Sequence, residues 1–235
     1  MDAKLPSGPR LTVCGVSFIC SKGTLIEVAL LAGLAAAFGH PWLALLLVPE
    51  LGSLLAHELG HAVADRRSGL TVRAIVLRPY GAARYSVGSV RSPGALAVSA
   101  AGGPLASLVL GLGCTGLLFS PWPRGGHLEL LVLALFNLLL VITNLLPLRP
   151  LDGQKIMLAF LWWLSGSRMR AERLALQFET SLALLAGVTA VVLALTVSAI
   201  AGIRFAVIAL SFLVQSRLVL YLHRRERATA KAVRT

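Results

Sequence analysis

A succession of apolar runs, each near the length that crosses hydrocarbon and each ended by a basic, glycine or proline-bearing connection, leaves this chain few ways to fold. Inside a bilayer every backbone amide must be bonded within the protein, so such runs become helices. They fall at about residues 24–38, 42–64, 93–119, 128–146, 182–201 and 203–222. The expectation is an all-α polytopic membrane protein of about six transmembrane helices. With 14% charged residues, against about 25% in a soluble domain, little is left for an extramembrane module.

Residues 65–92 break the pattern, with six arginines among Val, Ile and Tyr. Residues 72–77 and 82–87, separated by Arg78-Pro79-Tyr80-Gly81, predict a small membrane-associated β-hairpin or sheet between the second and third spans. Such a hairpin either offers an edge to an extended peptide or is a plain interfacial connector. Residues 1–23 are a loosely ordered or strand-containing lead-in without assigned function. Pro49 should kink the second span, and Glu50 beside it is an expensive acid in lipid. Residues 156–164 are too short to cross and should lie at the interface with Trp162 and Trp163 as anchors. The expected organisation is a lead-in (1–23), a membrane core (24–165), a basic connection with a C-terminal transmembrane hairpin turning at Gly202 (166–222), and a basic tail (223–235).

The net charge of +12 is distributed in alternate connections. That pattern sets topology beside anionic lipid and calls for no nucleic-acid partner. Counting the basic residues loop by loop predicts both termini in the cytoplasm. The excess of Arg over Lys and the richness in Ala, Gly and Leu look like a bacterial genome, so a bacterial inner membrane is the expected location. The three cysteines, Cys14, Cys20 and Cys114, form no CxxC pair and suggest neither a disulfide framework nor a thiolate metal site. No convincing secretory signal peptide precedes the first span.

Chemistry concentrates in His57-Glu58-Leu59-Gly60-His61, at the end of the second apolar run. Residues four apart share a helix face about 6 Å apart along the axis, so the two imidazoles can grip one metal ion. Glu58 is adjacent but badly placed to chelate with them, and its natural task is that of general base. The combination is that of a zinc hydrolase working inside a membrane. A single zinc needs a third protein ligand. Asp65 continues the histidine face but lies about 12 Å from His57 along the axis, too far to share the ion. Asp152 is the better choice, because the second and fourth spans run in the same direction and both motifs lie towards their cytoplasmic ends. Asn144 offers an amide for a substrate peptide or an oxyanion.

These residues resemble the site-2 proteases, intramembrane zinc metalloproteases that cut transmembrane segments of other proteins. The resemblance is carried by His57-Glu58-Leu59-Gly60-His61, by Asn144-Leu145-Leu146-Pro147-Leu148-Arg149-Pro150-Leu151-Asp152-Gly153 and by the small-residue stretch Gly103-Pro104-Leu105-Ala106-Ser107. It covers about residues 24–165. It implies one zinc held by His57, His61 and Asp152, Glu58 as general base acting on zinc-activated water, and Asn144 near the substrate carbonyl. The implied substrate is a membrane-tethered regulator or proprotein with a transmembrane segment, with a membrane regulatory partner as a further implied contact and the oligomeric state unspecified. Without a PDZ or cystathionine-synthase-like domain, the chain resembles the compact, bacterial sporulation-type members. Arg149 inside the proline motif and Gln154 after Asp-Gly depart from the pattern. The rival readings are a catalytically inactive membrane scaffold or chaperone, and a metal-ion transporter. An intact base speaks against the first, and a single polar cluster against the second.

Overall fold

The computed structural model describes residues 8–196 except 14, 41–43, 45, 46, 80 and 121–125, and beyond 196 only residues 203, 206, 210 and 214. Two strands, β1 (Arg10–Val13) and β2 (Val16–Cys20), precede helices α1 (Lys22–Ala37) and α2 (Leu47–Arg67). Strands β3 (Thr71–Arg78) and β4 (Gly81–Val87) follow, and then α3 (Pro93–Leu118), α4 (His127–Asn144), α5 (Asp152–Ser165) and α6 (Arg168–Thr196). Contacts divide the chain into two units, Met1–Leu145 and Leu146–Thr235.

In the first unit the hairpin expected at residues 72–87 forms, and the lead-in joins it. The strands make one sheet in the order β1-β2-β3-β4. β1 and β2 are antiparallel, β2 and β3 parallel, and β3 and β4 antiparallel. A parallel pair requires a crossover, supplied here by α1 and α2 together. Of the two readings of the lead-in, loosely ordered or strand-containing, the strand-containing one holds for Arg10–Val13 and Val16–Cys20. One sheet face packs Val16, Phe18, Val72 and Ile75 against Ala62 and Leu55 of α2. The other carries Ile19, Ala74, Val76 and Tyr85. Val72 and Ile75, three apart, share a face because the β3–β4 register slips between Val72 and Ala74, a bulge at Arg73. Ile75 and Val76 are wholly buried, which contributes about 1.5–3 kcal/mol each.

Helix α2 begins at Leu47, which puts Pro49 and Glu50 in its first turn. The kink expected at Pro49 is thus corrected. A first-turn residue has no intrahelical N–H bond to lose, and Glu50 there meets the positive end of the helix dipole. Helix α3 starts cleanly, with the Ser92 hydroxyl accepting from Ala95 N and Pro93 just inside the helix. It packs on α2 through facing glycines: a Cβ on Gly60 would strike the Gly102 carbonyl, and one on Gly102 the Gly60 carbonyl. Small residues here bring two backbones into contact.

In the second unit, Gly166 at φ 64° closes α5 in the left-handed region that favours glycine. The basic residues Arg168, Arg170 and Arg173, expected as a connection before a span at 182, instead form the first turns of α6. One long helix absorbs both because nothing between Arg168 and Leu182 breaks it. The Gly202 turn, most of residues 203–222 and the tail lie outside the described residues.

Three described helices, α3, α4 and α6, are long and apolar enough to cross a membrane. The 16 residues of α1 are too few for that measure, and α2 carries Glu50, Glu58, Asp65, Arg66 and Arg67. The chain is a mostly helical integral membrane protein with a small sheet; the count of six spans goes beyond these three helices.

Candidate metal centre

Four polar residues of α2, Ser53, His57, His61 and Asp65, recur every fourth position and are all at least nine-tenths buried. A spacing of four keeps them in one seam along the helix, and each is answered by a neighbouring element. Ser53 Oγ accepts from Asn137 Nδ2 of α4 at 2.8 Å. His57 Nδ1 lies 2.9 Å from Ser107 Oγ of α3. His61 Nδ1 lies 2.8 Å from the Ser99 carbonyl, also of α3. Because a carbonyl only accepts, His61 carries its proton on Nδ1, and the 3.2 Å approach of Gly103 N to the same atom is the weaker contact. Ser107 can accept from His57 Nδ1 in the same sense. Such bonds fix the ring and leave Nε2 as the basic nitrogen, the arrangement of a metal-binding histidine and its supporting oxygen.

The two Nε2 atoms converge on Gly103. A Cβ at that position would run into Nε2 of both His61 and His57. The rings meet edge to face with centroids 4.8 Å apart. With Glu58 they form a buried cluster whose ligand atoms all lie within 4.8 Å of one another. Glu58 Oε2 is buried without a hydrogen-bond partner among the described residues, with Arg84 Nη1 of β4 3.9 Å away.

Asp65 ends the seam in a different role. Arg84 Nε donates to its Oδ2 at 2.7 Å, Ser86 Oγ to the same oxygen at 2.5 Å, and Ser99 Oγ to Oδ1. Burial works to raise its pKa, but the bonds from Arg84, Ser86 and Ser99 and the charge of Arg84 outweigh that and hold the carboxyl below its ordinary value.

Residues 28–204 match the peptidase M50B-like family. This chain belongs to that family. It is 39% identical over 125 residues to Rip3 of Mycobacterium tuberculosis, named as a candidate zinc metalloprotease, covering 52% of this chain and 32% of that protein. It is 29% identical over 164 residues to the zinc metalloprotease MJ0392 of Methanocaldococcus jannaschii, covering 68% of this chain and 47% of that protein. The matched region thus spans between a third and a half of these relatives' length. In fold the chain is similar to the site-2 protease from Methanocaldococcus jannaschii, with a TM-score of 0.62 and 22% identity over 90% of this chain and 94% of that one.

Of the residues singled out in the sequence, this M50B-like chain brings His57, Glu58 and His61 together in the first unit. Asn144 is the last residue of α4, its Nδ2 donating to the Leu140 carbonyl at 2.9 Å. Asp152 lies in the second unit as the first residue of α5, buried, with Oδ1 accepting from Lys155 Nζ at 2.8 Å. Arg149, the charge inside the proline motif, donates through Nε to Glu179 Oε1 of α6 at 3.2 Å, and Glu179 is 5% exposed. The sequence reading gave no site role to Ser99, Ser107, Arg84, Asn137 or Glu179, although Ser107 stood in the small-residue stretch and Arg84 among the basic residues. A signal was present for the first two: Ser99, Gly103 and Ser107 repeat every fourth residue, in step with His57 and His61 on α2.

Proposed function

We propose that the chain is an intramembrane zinc metalloendopeptidase that hydrolyses a peptide bond in or near the transmembrane segment of another membrane protein. The observation that carries this reading is the pair of buried imidazoles whose Nδ1 atoms meet oxygens of α3 while their Nε2 atoms converge on Gly103, where a Cβ would strike both. The donor set fits zinc: two neutral imidazole nitrogens with a carboxylate as third ligand make a site that keeps one position open. We assign that third place to Asp152, on the strength of its motif and of the parallel run of the second and fourth spans.

Bound zinc would supply a Lewis acid to acidify water and polarise the scissile carbonyl. His57 and His61 would hold the metal, their rings already fixed by oxygens of α3. Glu58, beside them and buried, accepts a proton from water and delivers it to the leaving amine. Asn144 is assigned to the substrate carbonyl or the neighbouring backbone. Among the described residues β4 pairs only with β3, which makes it a sheet edge there, and an extended substrate segment adding to that edge would run beside α2. The substrate class is a membrane-tethered regulator or proprotein. A bacterial inner membrane, both termini in the cytoplasm and six spans complete the assignment, supported by the alternation of basic connections along the sequence.

The deciding experiment is Glu58→Gln. It should keep metal bound while cleavage of a co-reconstituted single-span substrate falls by at least about 10³-fold, a size in line with loss of general-base catalysis. Cleavage at the wild-type rate would remove Glu58 from the chemistry.

A further inference from the structure

Arg84 joins the substrate-side sheet to the base. Strand alternation turns Arg84 and Ser86 of β4 to the same side, and both meet Asp65. The guanidinium is spent on its inner edge: Nε lies 2.7 Å from Asp65 Oδ2, and Nη2 lies 3.4 Å from Oδ1 and 3.1 Å from Ser99 Oγ. The remaining nitrogen, Nη1, points at Glu58 Oε2 from 3.9 Å. A purely structural arginine would turn that last nitrogen to solvent, yet the side chain is only 13% exposed. The atom it faces is the buried glutamate oxygen that has no hydrogen bond among the described residues. Asp65 and Glu58 sit two helical turns apart on α2, about 10 Å along its axis. A planar fork held at one end can span them, whereas a single ammonium cannot.

We propose that Arg84 is a positioning residue that orients the Glu58 carboxylate, with Asp65 and Ser99 as its anchor. This inference rests on the reading of Glu58 as the general base. The 3.9 Å separation is longer than a hydrogen bond and shortens with a small movement of Glu58, as catalytic contacts do on substrate binding. Because Arg84 belongs to the edge strand, a peptide adding to β4 stiffens the strand that carries it. Substrate engagement and alignment of the base become one event.

The test uses full-length, zinc-loaded protein in liposomes with wild type, Arg84→Lys and Arg84→Gln. The probe is a fluorogenic single-span peptide, a leucine–alanine helix interrupted by Asn-Pro. Both variants should keep their zinc and a KM within about threefold of wild type while kcat falls about 10²-fold, the cost of a reacting group displaced by an ångström. A substrate-free readout accompanies it: in cobalt-substituted protein, acetohydroxamate binding followed by visible absorption should weaken at least about tenfold, as when a supporting residue is lost at a metal site. Arg84→Lys, which keeps the charge and so the fold if Arg84→Gln does not, decides the matter. Wild-type kcat in Arg84→Lys overturns the proposal, as does a defect wholly explained by lost zinc or raised KM. Wild-type protein that binds zinc but leaves the probe uncut overturns the protease reading itself, and this inference with it.

Discussion

The two histidines of α2 and the aspartate that opens α5 are both held in apolar chains, but by opposite means. Ser107 Oγ and the Ser99 carbonyl, uncharged oxygens, stand behind His57 and His61. Asp152 has an ammonium beside it, and three residues earlier Arg149 is matched by Glu179. The difference follows from what each group must remain. An imidazole that binds metal must keep a lone pair, so its support has to accept a proton without donating charge. A carboxylate must stay ionised in poor solvent, and a cation nearby is the least costly way to keep it so. Neutral support suits the imidazoles; ionic support suits the carboxylates.

The sharpest way to break this comparison is at Gly103, where the two Nε2 atoms converge. Gly103→Ala should empty the site of metal, while the overpacking costs only about 1–3 kcal/mol of stability. Zinc analysis beside a thermal melt in detergent measures both, and zinc bound at the wild-type level would show that the metal lies elsewhere. In the ionic region the expected effect is on stability instead. Arg149→Met or Glu179→Gln alone strands a buried charge and should cost about 3–5 kcal/mol, whereas Arg149→Met combined with Glu179→Met should recover most of that. Additive losses in the double variant, read by denaturant titration, would mean that the pair is not a unit.

The smallest effect belongs to Asp65, which combines both kinds of support. Its folded pKa is held below the ordinary value of about 3.8. Its contribution is therefore fully present above that value and is lost as pH falls through it to the lower folded value. Asp65→Asn should flatten the fall of the thermal midpoint below about pH 4 and leave the neutral region without added pH dependence. An unchanged acid limb would remove Asp65 from the acid sensitivity of the fold.

Much of the centre was legible before any coordinates, because spacing alone fixes which side chains share a helix face. His57, Glu58 and His61 need only a helix to come together. Ser99 and Ser107 carry the same four-residue period, but serines among glycines and alanines on a span read equally well as packing, and only their meeting with the imidazoles separates the two. Arg84 was hidden by its company, since one arginine among six in residues 65–92 looks like topology-setting charge. The sheet was half legible: the β3–β4 hairpin is local, while the parallel pairing of β2 with β3 is made across two intervening helices and leaves no mark on either strand. Pro49 misled because its effect depends on where the helix starts. Glu179, buried on α6, is matched by Arg149, thirty residues away, a pairing that no local pattern announces.

The most direct test of the centre is the zinc content of detergent-purified protein, compared across wild type, His57→Ala and Asp152→Ala. The account predicts about one zinc per chain in wild type, none in His57→Ala and a reduced, weakly held fraction in Asp152→Ala. A folded wild type that binds no zinc, or a His57→Ala variant that binds as much as wild type, would contradict it.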